Sequence, residues 1–154
     1  MGLRKLVGSG PVALDTAVFI YFVEQHPTYA KVVRPLFVAA DRGQLELVTS
    51  AVTLLEVQVV PYRAGNAALA EHYEALLMRS RGLTLIDLDR EVLRTAAQLR
   101  ARFGIRTPDA LQLAAAHAAR CTVFVTNDRR LPAVEGLRIV QLSEVVAHER
   151  RNDL

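Results

Sequence analysis

The chain has 154 residues, half of them apolar (51%), which suits one domain with a real core and argues against a disordered chain. It carries a formal net charge of +3 with a pI of about 9.4. No apolar run reaches the roughly 18 residues of a membrane span, the segment Met1 to Pro11 is too short and too weakly apolar for a signal peptide, and the single Cys121 cannot form an intrachain disulfide. Leu6 stands where a myristoylation motif needs Ser or Thr. These features lead us to expect a cytoplasmic protein. Of 19 basic residues only Lys5 and Lys31 are lysine. Arginine's planar fork suits phosphate recognition. A genome rich in G and C produces the same bias, so the charge is mild evidence for a nucleic-acid partner.

In chain order, Val12 to Leu14 reads as a short strand ending at Asp15-Thr16, followed by a helix over Ala17 to Gln25. A second helix is expected from about Thr28 to Arg42, kinked at Pro35 and closed by Gly43. Leu45 to Val48 reads as the second strand. Thr49 or Ser50 would cap a helix through Val59, which Pro61 bends or ends. Asn66 caps a helix to about Arg79. Leu83 to Leu88 is the third strand, and Asp89 caps a helix ended by Gly104 after Phe103. Thr107 and Pro108 suit the cap and first position of an Ala/Leu-rich helix to about Arg120, with Asp109 in its first turn. The apolar run Cys121 to Thr126 is the fourth strand, Leu137 to Leu142 the fifth, and Ser143 caps a short last helix. Strands alternating with helices predict an α/β fold with a parallel sheet. Residues 1–11 read as an N-terminal tail, 12–146 as the domain and 147–154 as a C-terminal tail.

Four acids hold related places on this map. Asp15 ends the first strand, Glu56 lies on the helix after the second, Asp109 opens the helix before the fourth, and Asp128 follows the fourth. Each has an ordinary alternative. Asp15 and Asp128 suit turn or helix caps, and Asp109 can offset a helix dipole. Glu56 sits in Leu54-Leu55-Glu56-Val57, where an unpaired carboxylate would be costly. If all four converge, each pair at about 5 Å repels by roughly 3 kcal/mol at an effective dielectric near 20. Such a group must take up protons or a cation. All-oxygen ligation suits Mg²⁺ or Mn²⁺, and two such ions promote in-line phosphoryl displacement. Thr16 and Thr126 flank the acids and can orient a carboxylate or water.

Val12-Ala-Leu-Asp15-Thr16, Ser50-Ala-Val-Thr53-Leu-Leu-Glu56-Val, Thr107-Pro-Asp109-Ala-Leu-Gln-Leu-Ala and Thr126-Asn-Asp128 together resemble the PIN domain, in the order and spacing of VapC-type toxins of toxin–antitoxin pairs. The resemblance runs from Val12 to about Val146. Val59-Val60-Pro61-Tyr62-Arg63-Ala64-Gly65-Asn66 also looks like the helix–helix corner of one VapC subgroup. The family implies a three-layer fold with a parallel five-stranded sheet and Mg²⁺- or Mn²⁺-dependent endoribonuclease activity leaving 5′-phosphate and 3′-hydroxyl ends. By resemblance Asp15, Glu56, Asp109 and Asp128 form the catalytic and metal-binding quartet, with Thr16 and Thr126 in support. It further implies a homodimer, pairing through the helices containing Val52–Val60 and Ala67–Arg79, and a small VapB-type antitoxin in a groove that includes Tyr21, Phe22 and Phe37. Where many relatives have an aromatic shortly after the last acid, this chain has Arg129-Arg130-Leu131.

For RNA phosphates the candidates are Arg106, Arg129 and Arg130, within a wider group that includes Arg90, Arg94, Arg100 and Arg102; a solvated helix face explains them equally well. A P-loop is absent, as are His-Glu-x-x-His and Cys-x-x-Cys, and Ala17 stands where a haloacid-dehalogenase-type phosphatase needs its second Asp. The four histidines are scattered, Cys121 reads as a buried inert thiol, and Tyr21, Phe22, Tyr62 and Tyr73 read as core or interface residues. Two functions remain, a metal-dependent RNase toxin and a PIN-fold RNA- or protein-binding module with little activity.

Overall fold

The computed structural model describes residues 2–154. Five parallel strands form one sheet in the order β3-β2-β1-β4-β5: β1 (Val12–Leu14), β2 (Leu47–Ser50), β3 (Leu83–Ile86), β4 (Val123–Thr126) and β5 (Arg138–Gln141). The helices are α1 (Leu3–Leu6), α2 (Thr16–Val23), α3 (Ala30–Asp41), α4 (Val52–Arg63), α5 (Ala67–Arg79), α6 (Arg90–Phe103), α7 (Thr107–Ala118) and α8 (Leu142–Asn152).

Two-residue periodicity divides the strands between two cores. Val12, Leu14, Val123 and Val125 face a large cluster completed by α1, α2, α3, α5 and α8. Ala13, Val48 and Phe124 face the opposite way, against Leu113 and Ala116 of α7. A third cluster joins Val92 and Ala96 of α6 to Ala110 and Ala114 of α7. The expected three layers, helix on sheet on helix, are therefore present. Ala-rich α7 lies between sheet and α6, and every residue from Ala110 to Ala116 is buried.

Several boundaries differ from expectation. Thr49 and Ser50 belong to β2, which β3 pairs as far as Ser50 opposite Ile86, and Ala51 holds the N-cap position of α4; the Ser50 hydroxyl still accepts from the first helical N–H, that of Val52, at 3.2 Å. Pro61 does not end α4. It is buried inside the helix, where packing outweighs one missing hydrogen bond, and the helix runs on to Arg63. Arg106 rather than Thr107 occupies the N-cap of α7 and makes no side-chain cap bond. Ser143 is already inside α8, and its N–H is capped from afar by Asn127 Oδ1 at 3.0 Å. The stretch expected as an N-terminal tail contains α1, whose Leu3, with Val7 just beyond it, enters the main core. Likewise the last helix extends to Asn152, through most of the expected C-terminal tail.

The order 3-2-1-4-5 reverses direction between β1 and β4. In open parallel sheets the crevice outside the carboxyl ends at such a reversal is where ligands bind. Asp15 follows β1, and Asn127 and Asp128 follow β4, so both loops open at that reversal.

Candidate active site

All four acids line one open depression of about 440 Å³ at this reversal, together with Thr16, Tyr21, Arg106, Asn127 and Arg130. Four separate elements deliver them. Asp15 is the N-cap of α2, and its Oδ1 accepts from Thr16 N–H at 2.8 Å. Glu56 rises from the middle of α4, and Asp109 stands in the first turn of α7, where the helix dipole favours a negative charge. Asp128 follows β4 in a turn closed by Thr126 Oγ1, which accepts from Asp128 N–H at 3.0 Å.

Thr16 and Thr126 each donate to one of these acids. Thr126, fully buried, donates to Asp15 Oδ2 at 2.6 Å. Thr16 donates to Glu56 Oε1 at 2.7 Å. Burial pushes the Asp15 carboxyl above the ordinary carboxylate range. The bonds from Thr126 and Thr16 pull it down, while the charges of Asp109 and Glu56 push it up again. Asp128 behaves oppositely, because the Arg130 guanidinium holds its carboxyl below the ordinary range.

Arginines sit where sequence reasoning wanted phosphate ligands, but two of the three contact acids of the depression. Arg130 grips Asp128 with two bonds of 3.0 Å. Arg106 pairs with Asp109 at 3.0 Å and lies 3.9 Å from Asp128. Arg129 turns away to Glu144 and Ser143 at 3.3 and 3.0 Å and lines no part of the depression. Arg90, Arg94, Arg100 and Arg102 belong to α6, also outside it. Tyr21, expected in core or interface, packs against the main core and also lines the depression, where its hydroxyl accepts from Asn127 at 3.3 Å.

Among the described residues no three Asp, Glu, His or Cys side chains are already gathered as a closed metal-ligand set. The donor chemistry nevertheless fits a hard divalent cation. Mg²⁺ retains several waters and needs only one or two carboxylates directly. The arginines are weak obstacles, since the Arg106 and Arg130 side chains are 60% and 69% exposed and solvent screens such pairs.

A layer beneath the acids was not foreseen. Gln112, 3% exposed, lies one helical turn after Asp109 and bonds to Thr16, Thr53, Thr49 and the Ser50 N–H. Thr53 lies one turn before Glu56 on α4. The available signal was Gln112 itself, a lone amide in Ala-Leu-Gln-Leu-Ala, where an unpaired polar group would be costly.

The sequence matches the PIN domain family over residues 12–137, most of the chain, and the protein belongs to that family. No curated protein matches it significantly. Its fold is that of VapC-type toxins. VapBC2 from Rickettsia felis, solved bound to a DNA fragment from its promoter, superposes with a TM-score of 0.66 at 18% identity, covering 85% of this chain and 98% of that one. The DNA-bound VapBC of Salmonella typhimurium gives 0.60 at 22%, covering 86% and 98%. VapC20 of Mycobacterium tuberculosis, described as a toxin cleaving the Sarcin-Ricin loop, gives 0.60 at 14%, covering 73% and 86%. No helix among the described residues is long and apolar enough to cross a membrane.

Proposed function

We propose that this chain is a Mg²⁺- or Mn²⁺-dependent endoribonuclease, the toxin of a VapBC-type pair. The observation that carries this reading is the convergence of Asp15, Glu56, Asp109 and Asp128, from four separate elements, on one depression at the sheet's topological reversal. No pure scaffold needs four acids there, given their mutual repulsion. These carboxylates would hold the cation, which when bound supplies Lewis acidity to a phosphodiester and makes water acidic enough to act as nucleophile. Thr126 keeps Asp15 aimed into the depression, and Thr16 does the same for Glu56. Arg106 and Arg130, weakly held, exchange a carboxylate for a phosphate oxygen of the RNA. Water adds to phosphorus as the P–O3′ bond breaks, leaving a 5′-phosphate and a 3′-hydroxyl.

The VapC20 description supports RNA as substrate, and the VapBC complexes support a VapB-type antitoxin as partner. Exposed Leu55, Val59, Val60 and Tyr62 on α4, with Met78 on α5, support a homodimer formed through those helices. The proposed site of action is the cytoplasm, where such a toxin meets its RNA.

The test is to induce the wild-type chain and its Asp15→Asn variant in bacterial cells and map new RNA 5′-phosphate ends. Growth arrest with discrete new ends, absent from the variant, is the expected result. Identical maps from two folded proteins would favour the binding-module reading, for which the arginines paired with Asp109 and Asp128 are the one specific observation.

A further inference from the structure

Beneath the carboxylates lies a polar chain whose direction can be worked out from its fixed end. Beyond the last β1–β2 pair, Ala13 opposite Val48, the buried Ser50 N–H finds its partner in Gln112 Oε1 at 3.3 Å. A backbone N–H can only donate, so the oxygen of the Gln112 amide must face it. The Nε2 group is thereby directed at Thr53 and Thr16, at 2.7 and 3.0 Å, and donates to both. Each threonine hydroxyl has one proton. That of Thr49 goes to Leu14 O at 2.9 Å, and that of Thr53 goes to Thr49 at 2.8 Å. The proton of Thr16 is left for Glu56 Oε1 at 2.7 Å, the shorter of its two options, since Thr53 lies 3.2 Å away.

We propose that Gln112 is a positioning residue: it fixes the Thr16 hydroxyl as a donor to Glu56 and so holds that carboxylate in the depression ready for a divalent cation. The consequence for metal binding rests on the nuclease reading, whereas the effect on Thr16 does not. Gln112 stands one turn from Asp109 on α7, so a single helix supplies one acid at the rim and orients another through the floor. Without the amide, Thr16 loses the incoming donor that holds its Cα–Cβ rotamer. A threonine in a helix has two accessible χ1 rotamers, so this release is observable.

The experiment compares wild type with Gln112→Met, which keeps length and apolar volume but removes both donors and the acceptor. In metal-free protein, three-bond NMR couplings at Thr16 report one χ1 rotamer in wild type and an average in the variant. By calorimetry, Mn²⁺ binds about fivefold more weakly to Gln112→Met, the effect of losing one ordinary hydrogen bond. In a Thr16→Val background, adding Gln112→Met leaves Mn²⁺ affinity unchanged, because the route to Glu56 is already cut. An equal weakening in both backgrounds would mark general destabilisation and overturn the proposal. So would a folded Gln112→Met with a single Thr16 rotamer, or rotamer averaging in wild type, which needs no variant to fold. Absence of Mn²⁺ binding by wild type would remove the nuclease reading, and the couplings would still decide the role of Gln112.

Discussion

Thr126 offers the sharpest test of how the depression holds its acids. Thr126→Val removes the hydroxyl that donates to Asp15 Oδ2 at 2.6 Å and accepts from Asp128 N–H at 3.0 Å, while keeping the buried volume. A hydrogen bond to a charged group contributes about 1.5–3 kcal/mol, and leaving a half-buried N–H unpaired adds to its loss. A destabilisation of about 2–4 kcal/mol at pH 7.5 follows. Its pH dependence has a definite sign. Burial already raises the Asp15 carboxyl in the folded protein, so this group favours folding below the ordinary carboxylate range and loses that contribution as pH rises through its folded pKa. The Thr126 bond counters the rise by stabilising the ionised form. Without it the loss at neutral pH deepens, while the charge-assisted part shrinks as acid protonates Asp15. Urea unfolding of metal-free wild type, Thr126→Val and Thr126→Ser at pH 7.5 and near pH 4 measures this directly. Thr126→Ser, which keeps the hydroxyl, should behave much more like wild type. A penalty below about 0.5 kcal/mol at pH 7.5, or one equal at both pH values, would refute the reasoning.

Gly82, at φ +75°, approaches Ala40 so closely that a Cβ would lie 2.5 Å from its carbonyl oxygen, so Gly82→Ala should cost at least about 2 kcal/mol in chemical unfolding. The Cys121 thiol is buried and pushed up to about 11 by that burial, with Glu46 adding to it. Its thiolate fraction near pH 7 is then about a hundredfold below that of an ordinary thiol, and alkylation of native protein should be correspondingly slow, rising to the free-thiol rate in denaturant. If Arg130 exchanges Asp128 for phosphate, Arg130→Gln should lower the salt slope of RNA binding by about one, whereas Arg129→Gln should leave it unchanged; equal effects would place the RNA elsewhere.

The layered α/β fold and the four acids are legible in the sequence because both depend on local signals. Alternating apolar strands and helices fix the layers, and Asn66, Asp89 and Gly104 stop and start helices as their own chemistry demands, with Asn66 and Asp89 each accepting from a first-turn N–H. Among the acids Glu56 stands out, because a carboxylate in Leu54-Leu55-Glu56-Val57 is costly without a partner. What the chain order could not say is which ends meet. Only the sheet order 3-2-1-4-5 brings the loop after β1 beside the loop after β4. Only helix packing sets Glu56 and Asp109 against them. The arginines illustrate the same limit: three looked alike as charges, yet folding turned Arg106 and Arg130 toward the acids and Arg129 toward Glu144. Gln112 is the clearest case. Its neighbours in sequence are apolar, and its partners Thr16, Ser50 and Thr53 lie at least 59 residues away. Local sequence determines secondary structure and the stock of charges. Hydrogen-bond partners across such separations exist only once burial has removed water and left each polar group the few neighbours that the tertiary fold supplies.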